Sequence, residues 1–324
     1  MRSYPREHIK LIFNRQAGRA GTTTSLLQDI IAELQALNFV PEVYLTEPDG
    51  NLKATVDEAL RRKIRLFVVC GGDGTLESVA RLLVDQHATL GIIPGGTQNN
   101  IALSLGIPGE IKDAVGLLRT GQRNKIDVGF ARKASKEIAF LEICSVGLFS
   151  ALFESADNLQ KGNLGSLGDI FSTLASFPLA NIHMRLDKDQ EVDLQGHVVL
   201  VANLPYFGLN YRVSPDSPFD DGILDVLVFS EFSKLELVSN VLQTAGEQST
   251  DQRLRRYRAK HLEIRTDPSM PVQVDGISLG DTPISISVRR RALSVMTGMP
   301  AQRPTAAQPW GFLRNLSLLR FFKK

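Results

Sequence analysis

The chain of 324 residues is poor in cysteine, in tryptophan and in net charge. Its two cysteines, Cys70 and Cys144, both fall inside apolar runs. They read as buried thiols of a reducing cytosol and exclude a disulfide framework. Cysteine and histidine never recur at metal-ligand spacing. No apolar run approaches the roughly 18 residues needed to span a bilayer. The opening Met1 to Glu7 holds no apolar signal core. A cytoplasmic location is the resulting expectation. The formal charge of +2 gives no general attraction for nucleic acid, and no such partner is expected. The glycine-rich turns carry no Walker lysine, so a standard P-loop is excluded.

What is present is ordinary in bulk. Hydrophobic residues make up 43% and charged residues 22%, as in soluble globular proteins, and the length suffices for two cores. The specific signals sit in two neighbouring stretches. Leu66 to Cys70 reads as a buried strand, Gly71-Gly72-Asp73-Gly74-Thr75 as a turn, and Leu76, Val79, Ala80 and Leu83 as a helix face. Strand, glycine turn and helix start form a phosphate site, because backbone N–H groups lie open there. Asp73 would repel a bare phosphate, so its presence points to a divalent cation between carboxylate and phosphate, hence a Mg-nucleotide site. The plain alternative is a tight turn with an acid at a helix start. A second strand, Leu90 to Pro94, ends in Gly95-Gly96-Thr97-Gln98-Asn99-Asn100 and opens another helical run. Ligands of open α/β sheets sit outside the carboxyl ends of strands, where both turns would converge.

Repeated β-α units up to Gly121 predict a wound parallel sheet with helices. From Lys125 short strands separated by Gly, Pro, Asp and Asn predict a β-sandwich. The expected strands are 125–131, 138–146, 182–186, 196–202, 222–229, 261–265, 272–274, 284–288 and 292–296. Helical segments are expected over 148–177 and 235–244. The division is an α/β nucleotide-binding domain over 1–124, a β-sandwich over 125–298, and a linker with a basic, aromatic tail over 299–324.

The motifs resemble those of the diacylglycerol kinase catalytic domain family, which includes bacterial lipid kinases and is related to sphingosine kinases and, more distantly, to NAD kinases. The resemblance rests on Gly71 to Thr75, on Pro94-Gly95-Gly96-Thr97 with Asn99, on the opening Asn14 turn with Gly18, on Ser145-Val146-Gly147, on Ser214-Pro215 with Asp220-Asp221-Gly222-Ile223-Leu224-Asp225, and on Gln273-Val274-Asp275-Gly276. It implies an α/β plus β-sandwich architecture with a cleft between, ATP and Mg²⁺ as cofactors, and a lipid substrate. By the same resemblance Asp73 organises Mg²⁺. Asn14, Gly71, Gly72, Gly74, Thr75, Gly95, Gly96 and Thr97 line the phosphates, and Asn99 braces the second turn. Asp221, with carbonyls near Pro218 and Ile223, matches a structural cation site; a plain turn carboxylate is the alternative.

Four positions depart from the family pattern. Ser78 stands where the family has Glu, with Glu77 one place earlier. Asn100 stands for Asp, Arg15 for Pro, and Ile277 for the Glu proposed as general base. Asp275 either replaces that base, facing the same side as residue 277 if the segment is extended, or fixes a turn before Gly276. The functions kept in view are a lipid kinase acting on diacylglycerol or a similar lipid, a non-catalytic relative that binds nucleotide or lipid, and a kinase of the NAD-kinase type.

Two basic stretches bear on partners. Residues 252–260 carry five cations in nine residues and read as a solvated helix face or loop, or as a contact for anionic headgroups or for nucleic acid, to which the interleaved Tyr257 alone lends little. Residues 310–324 read as an interfacial helix touching a membrane surface, or as a helix that packs back on the first domain. A homodimer is left open.

Overall fold

The computed structural model describes residues 4–17, 23–48, 50–151, 172, 176–208, 211–213, 218–230, 232–234, 236–237, 251 and 253–298. The Gly18 to Gly21 turn, Ser214-Pro215, most of both helical segments expected over 148–177 and 235–244, and the tail lie outside these residues.

The first half alternates β1 (Glu7–Phe13), α1 (Thr23–Ala36), β2 (Phe39–Leu45), α2 (Leu52–Arg61), β3 (Leu66–Gly71), α3 (Asp73–Leu83), β4 (Thr89–Pro94), α4 (Asn100–Ser104) and α5 (Ile111–Thr120). All strand pairs here are parallel, in the order β2-β1-β3-β4. Every residue of β3 is buried, which is why its sequence is an unbroken apolar run and not an alternation. At the start of α2 the Asn51 side chain accepts the Ala54 N–H at 2.9 Å, a side-chain cap that fixes that end.

The second half comprises β5 (Gln122–Lys133), β6 (Lys136–Phe140), β7 (Ile143–Gly147), β8 (Ala180–Leu186), β9 (Gln190–Ala202), β10 (Tyr206–Phe207), β11 (Tyr211–Arg212), β12 (Leu224–Ser230), β13 (Leu254–Ala259), β14 (His261–Asp267), β15 (Pro271–Val274), β16 (Ile277–Asp281) and β17 (Ile284–Thr297). Here the pairing is antiparallel throughout, except where β17 lies parallel to β4. The architecture is therefore an α/β half with a parallel sheet joined to a β-sandwich half, as the sequence predicts.

Several boundaries differ from the sequence reading. The two strands expected over 284–288 and 292–296 are one strand, β17, with a register shift between Arg289 and Leu293. Its first part and Ala131 of β5 pack in the sandwich core. Its last part, Ala292 to Met296, packs with Ile126, Val128 and Phe130 in the α/β core. Both strands thus run unbroken through both halves. The strand expected over 138–146 is two strands, because the chain bends at Leu141 and Glu142. The basic stretch is neither helix nor loop but the outer strand β13, which pairs with β12 alone. Leu254 and Ala259 are buried while Arg255, Arg256 and Arg258 are exposed, and arginines on an outer strand discourage edge-to-edge pairing.

Candidate active site

The two glycine turns lie at the carboxyl ends of β3 and β4 and touch each other. Gly95 N–H donates to the Gly71 carbonyl at 3.0 Å. A Cβ built on Gly96 would stand 2.4 Å from Gly72 Cα. Only glycine permits that approach. Asn99 sits at φ 54 and closes the second turn on itself: its Oδ1 accepts Gly96 N–H at 2.8 Å and its Nδ2 donates to the Gly96 carbonyl at 2.9 Å. The N–H groups of Gly95 and Gly96 are consumed by these bonds. The sequence reading offered both residues to the phosphates; the structure instead uses them to bring the turns into contact.

One carboxylate binds the turns together. Asp73 Oδ2 accepts Asn100 N–H at 3.0 Å and its Oδ1 accepts Ile101 N–H at 3.1 Å. The first residue of α3 thereby caps α4. Asn14, at the end of β1, donates from Nδ2 to Thr75 Oγ1 at 2.8 Å and accepts Gln16 N–H at 2.9 Å. Three strand ends are thus tied at one place. Beside them lies an open groove of about 200 Å³, lined by Tyr44, Thr46, Glu47, Gly74, Thr75 and Ser78 among others. Gly74 and Thr97 are not enclosed: a Cβ on Gly74 would meet nothing within 4 Å, and Thr97 is exposed.

Successive helix residues differ by roughly 100° in direction, so Glu77 does not replace the family's Glu at position 78. Ser78 faces the groove, and its Oγ donates to the Gly74 carbonyl at 2.8 Å. Glu77 turns inward. It is 6% exposed and lies 3.5 Å from Arg81 Nη2, which is also 3.8 Å from Asp275. Glu142 completes the cluster, 6% exposed, with Oε2 accepting Asn100 Nδ2 at 3.3 Å. Burial drives all these carboxyls upward. Glu77 rises to about 10, helped by Asp275 and held back by Arg81. Glu142 rises well above the usual range, by burial first and then by Asp73, Asp275 and Glu77. Asp73 is raised by burial against the pull of its backbone donors.

The raised Glu77 has a measurable consequence. Between its ordinary 4.5 and about 10 the folded chain keeps a proton that the unfolded chain has released. Raising the pH through that window therefore favours unfolding, by up to about 1.4 kcal/mol per pH unit for one proton. Urea denaturation at pH 6 and pH 9 should give a lower midpoint at pH 9. Glu77→Gln should shrink that difference, though Glu142, shifted the same way, will leave part of it.

Asp275 does not serve as a replacement base. Asp275 and Gly276 form the two-residue turn between β15 and β16, with φ of 39 and 75. The segment is a hairpin turn, the expected place for Asp-Gly, so residues 275 and 277 do not share one face of a strand. The Asp275 side chain is fully buried. It accepts Leu141 N–H at 2.7 Å and Ile143 N–H at 2.8 Å, which fixes the bend between β6 and β7. Burial raises it to about 6 against those donors and Arg81. Ile277 is 38% exposed.

The structural cation site implied for Asp221, Pro218 and Ile223 does not fit this chain. Asp221 Oδ1 accepts Ile223 N–H at 3.0 Å, while Oδ2 lies 2.5 Å from Arg258 Nη2. Arg258 Nε lies 3.5 Å from Asp225, its cross-strand partner. A guanidinium already neutralises the carboxylate a metal would need. Among the described residues no group of three or more His, Cys, Asp and Glu could hold a metal ion. With Arg258 occupying Asp221, the melting temperature without nucleotide should not change on adding EDTA or Ca²⁺. Arg258→Gln, which breaks a half-exposed pair, should lower it by only about 1–4 °C.

Two buried acids escaped the sequence reading. Glu142 is one. Asp127, 2% exposed, accepts Gly222 N–H at 2.5 Å and Arg291 N–H at 2.7 Å, and so pins the 219–222 turn to the irregular part of β17. In sequence each is a lone acid in an apolar run, Asp127 within β5 and Glu142 at the bend between β6 and β7.

A parallel sheet whose glycine turns share one carboxylate, joined to a β-sandwich, defines the two-domain class to which diacylglycerol kinases and NAD kinases belong. Residues 8–131 match the diacylglycerol kinase catalytic domain, and residues 151–297 match the YegS C-terminal NAD kinase beta sandwich-like domain. Together the two matches place the chain among the diacylglycerol kinase/YegS-like proteins. It is 24% identical over 302 residues to the diacylglycerol kinase of Staphylococcus carnosus, covering 90% of this chain and 95% of that one. A solved diacylglycerol kinase from Bacillus anthracis superposes with a TM-score of 0.70 at 25% identity, over 91% of this chain and 98% of the other. Yeast NADH kinase, solved with NADH, shares the fold with a TM-score of 0.52 at 12% identity, over 99% and 89%. Among the described residues no helix is long and apolar enough to cross a membrane.

Proposed function

We propose that the chain is an ATP-dependent kinase that transfers the γ-phosphate to a hydroxyl of diacylglycerol or a similar lipid. The observation that carries this reading is Asp73, a carboxylate that ties both turns together where three strand ends meet. A carboxylate offers about four lone-pair positions; the N–H groups of Asn100 and Ile101 take one on each oxygen, and those of Asp73 itself and Asn99 also pull on the carboxylate. The side chain is only half-buried. A carboxylate held in place by backbone N–H groups suits a magnesium-bound water, because Mg²⁺ keeps several waters and takes one or two carboxylates plus substrate phosphates. Bound there, Mg²⁺ would neutralise charge on the triphosphate. The positive end of α3 and the Thr75 hydroxyl, whose oxygen already accepts from Asn14, face the same groove.

In the transfer, the lipid hydroxyl oxygen bonds to the γ-phosphorus, the bond to ADP breaks, and the hydroxyl proton leaves. Ile277 cannot take that proton and Asp275 is enclosed, so it passes to solvent. A missing general base costs typically about 10²–10⁴ in rate, while positioning and charge neutralisation remain. A labelled-ATP assay against a panel of lipids tests the reading, with diacylglycerol expected to be phosphorylated. No turnover on any lipid above an Asp73→Ala control would reject it. Ile277 and the enclosed Asp275 favour one second reading, a relative that binds nucleotide without turnover; MgATP binding with no product from lipid or NAD would select it. The same reading sets the chain at a membrane surface, through residues 310–324 and the arginines of β13. Deleting residues 300–324 tests this by sedimentation with vesicles.

A further inference from the structure

We propose that Glu142 is a positioning residue for Asp73, and that it supplies, from across the contact, the acid that the family pattern places at position 100. The inference rests on the reading of Asp73 given under Proposed function. Asn100 stands at the centre. It is 3% exposed, its backbone N–H holds Asp73, and its Nδ2 donates both to Glu142 and to the Gly208 carbonyl, the latter at 3.0 Å. One side chain thus joins the phosphate turns to the far wall of the cleft.

Glu142 is held rigidly for this task. Its N–H approaches Asp275 Oδ2 at 3.4 Å, and its carbonyl accepts Asn203 N–H at 3.0 Å. What is unusual is that it is an acid at all. Among the described residues no cation lies within ion-pair distance of Glu142; Arg81 bonds Glu77 and Asp275 instead. A buried acid without a cation is costly, and an apolar or amide side chain of similar size would be cheaper. The amide at position 100 fits this arrangement. Aspartate there would face Glu142 and Asp73 together, whereas an amide donates to the one and leaves its backbone N–H to the other. The acid has changed sides of the hydrogen bond, and the pair has kept one carboxyl. Outer partners of this kind orient the group that meets the ion, and removing them typically costs about 10–100-fold in metal affinity or activity.

The test compares the full chain with Glu142→Gln, Asn100→Asp and the double exchange Asn100→Asp/Glu142→Gln. MgATP affinity is measured by calorimetry at several Mg²⁺ concentrations, and melting temperature is read without ligand. Glu142→Gln keeps the shape and a hydrogen bond to Asn100 and removes only the acid, so its melting temperature should be unchanged or higher. Its MgATP affinity should fall about 10–100-fold, with a higher Mg²⁺ requirement. The double exchange, with its acid back at position 100, should recover most of that loss, and Asn100→Asp alone should melt lowest. Glu142→Gln binding MgATP as tightly as the parent would overturn the inference and leave the kinase reading standing. So would a double exchange no better than Glu142→Gln. A parent chain that binds no MgATP would overturn both.

Discussion

Gly96→Ala is expected to weaken MgATP binding about 10–100-fold. The added Cβ would stand 2.4 Å from Gly72 Cα, 3.0 Å from Asn99 Oδ1 and 3.2 Å from Gly72 N. Two of these three atoms are backbone, so no rotamer change relieves the overlap. The turns must part. That breaks the Gly95–Gly71 hydrogen bond and draws α4 away from Asp73. Overpacking of this kind costs typically about 1–3 kcal/mol. If it falls on binding, MgATP affinity drops about 10–100-fold. Gly74→Ala is the contrasting control: its Cβ meets nothing, it lies in α3, and alanine is the better helix former by about 0.5–1 kcal/mol. Calorimetric titration with MgATP and thermal melts of the two variants would separate close approach from glycine content. Equal MgATP affinity in Gly96→Ala and the parent would contradict the contact between the turns.

Asp73→Asn is expected to remove activity while leaving the fold. The amide can accept one of the two backbone N–H groups but sets its own NH₂ against the other. Loss of a helix cap costs about 1 kcal/mol. That cost is partly offset, because the neutral side chain no longer suffers the burial that raises the Asp73 carboxyl. The melting temperature should therefore move by only a few degrees, about 2–4 °C for each kcal/mol. The charge that organises a cation is gone entirely, and turnover should fall about 10–100-fold. A variant with parental turnover and parental Mg²⁺ dependence would show that the carboxylate only caps α4.

The turns were legible because glycine, aspartate and strand length coincide at one place in the chain. Other features were hidden for identifiable reasons. In β13 three arginines mask the buried Leu254 and Ala259, so a strand reads as a charged surface. Asp275-Gly276 carries the standard hairpin signal between two short strands. The resemblance to a catalytic Asp-Gly-Glu drew that pair into an extended reading that its positive φ values forbid. The strand β17 was split because Arg289, Arg290 and Arg291 interrupt its apolar pattern where its register shifts. Glu142 was invisible as a site because only the folded chain places it against Asn100. The Arg258–Asp221 pair likewise joins positions 37 apart in sequence, and no local pattern announces it.

The long strands β5 and β17 make the two halves inseparable. A fragment ending at residue 124 would lack Ile126, Val128, Phe130, Ala292, Leu293, Val295 and Met296, all of them interior to its own core. Transplanting the nucleotide half onto another partner would thus require carrying the strand β17 with it. Any opening between the halves must also be a flexure of continuous sheet, without a linker to swing on. The natural crease is the stretch from Arg289 to Leu293, where pairing slips and Asp127 fastens the Arg291 backbone.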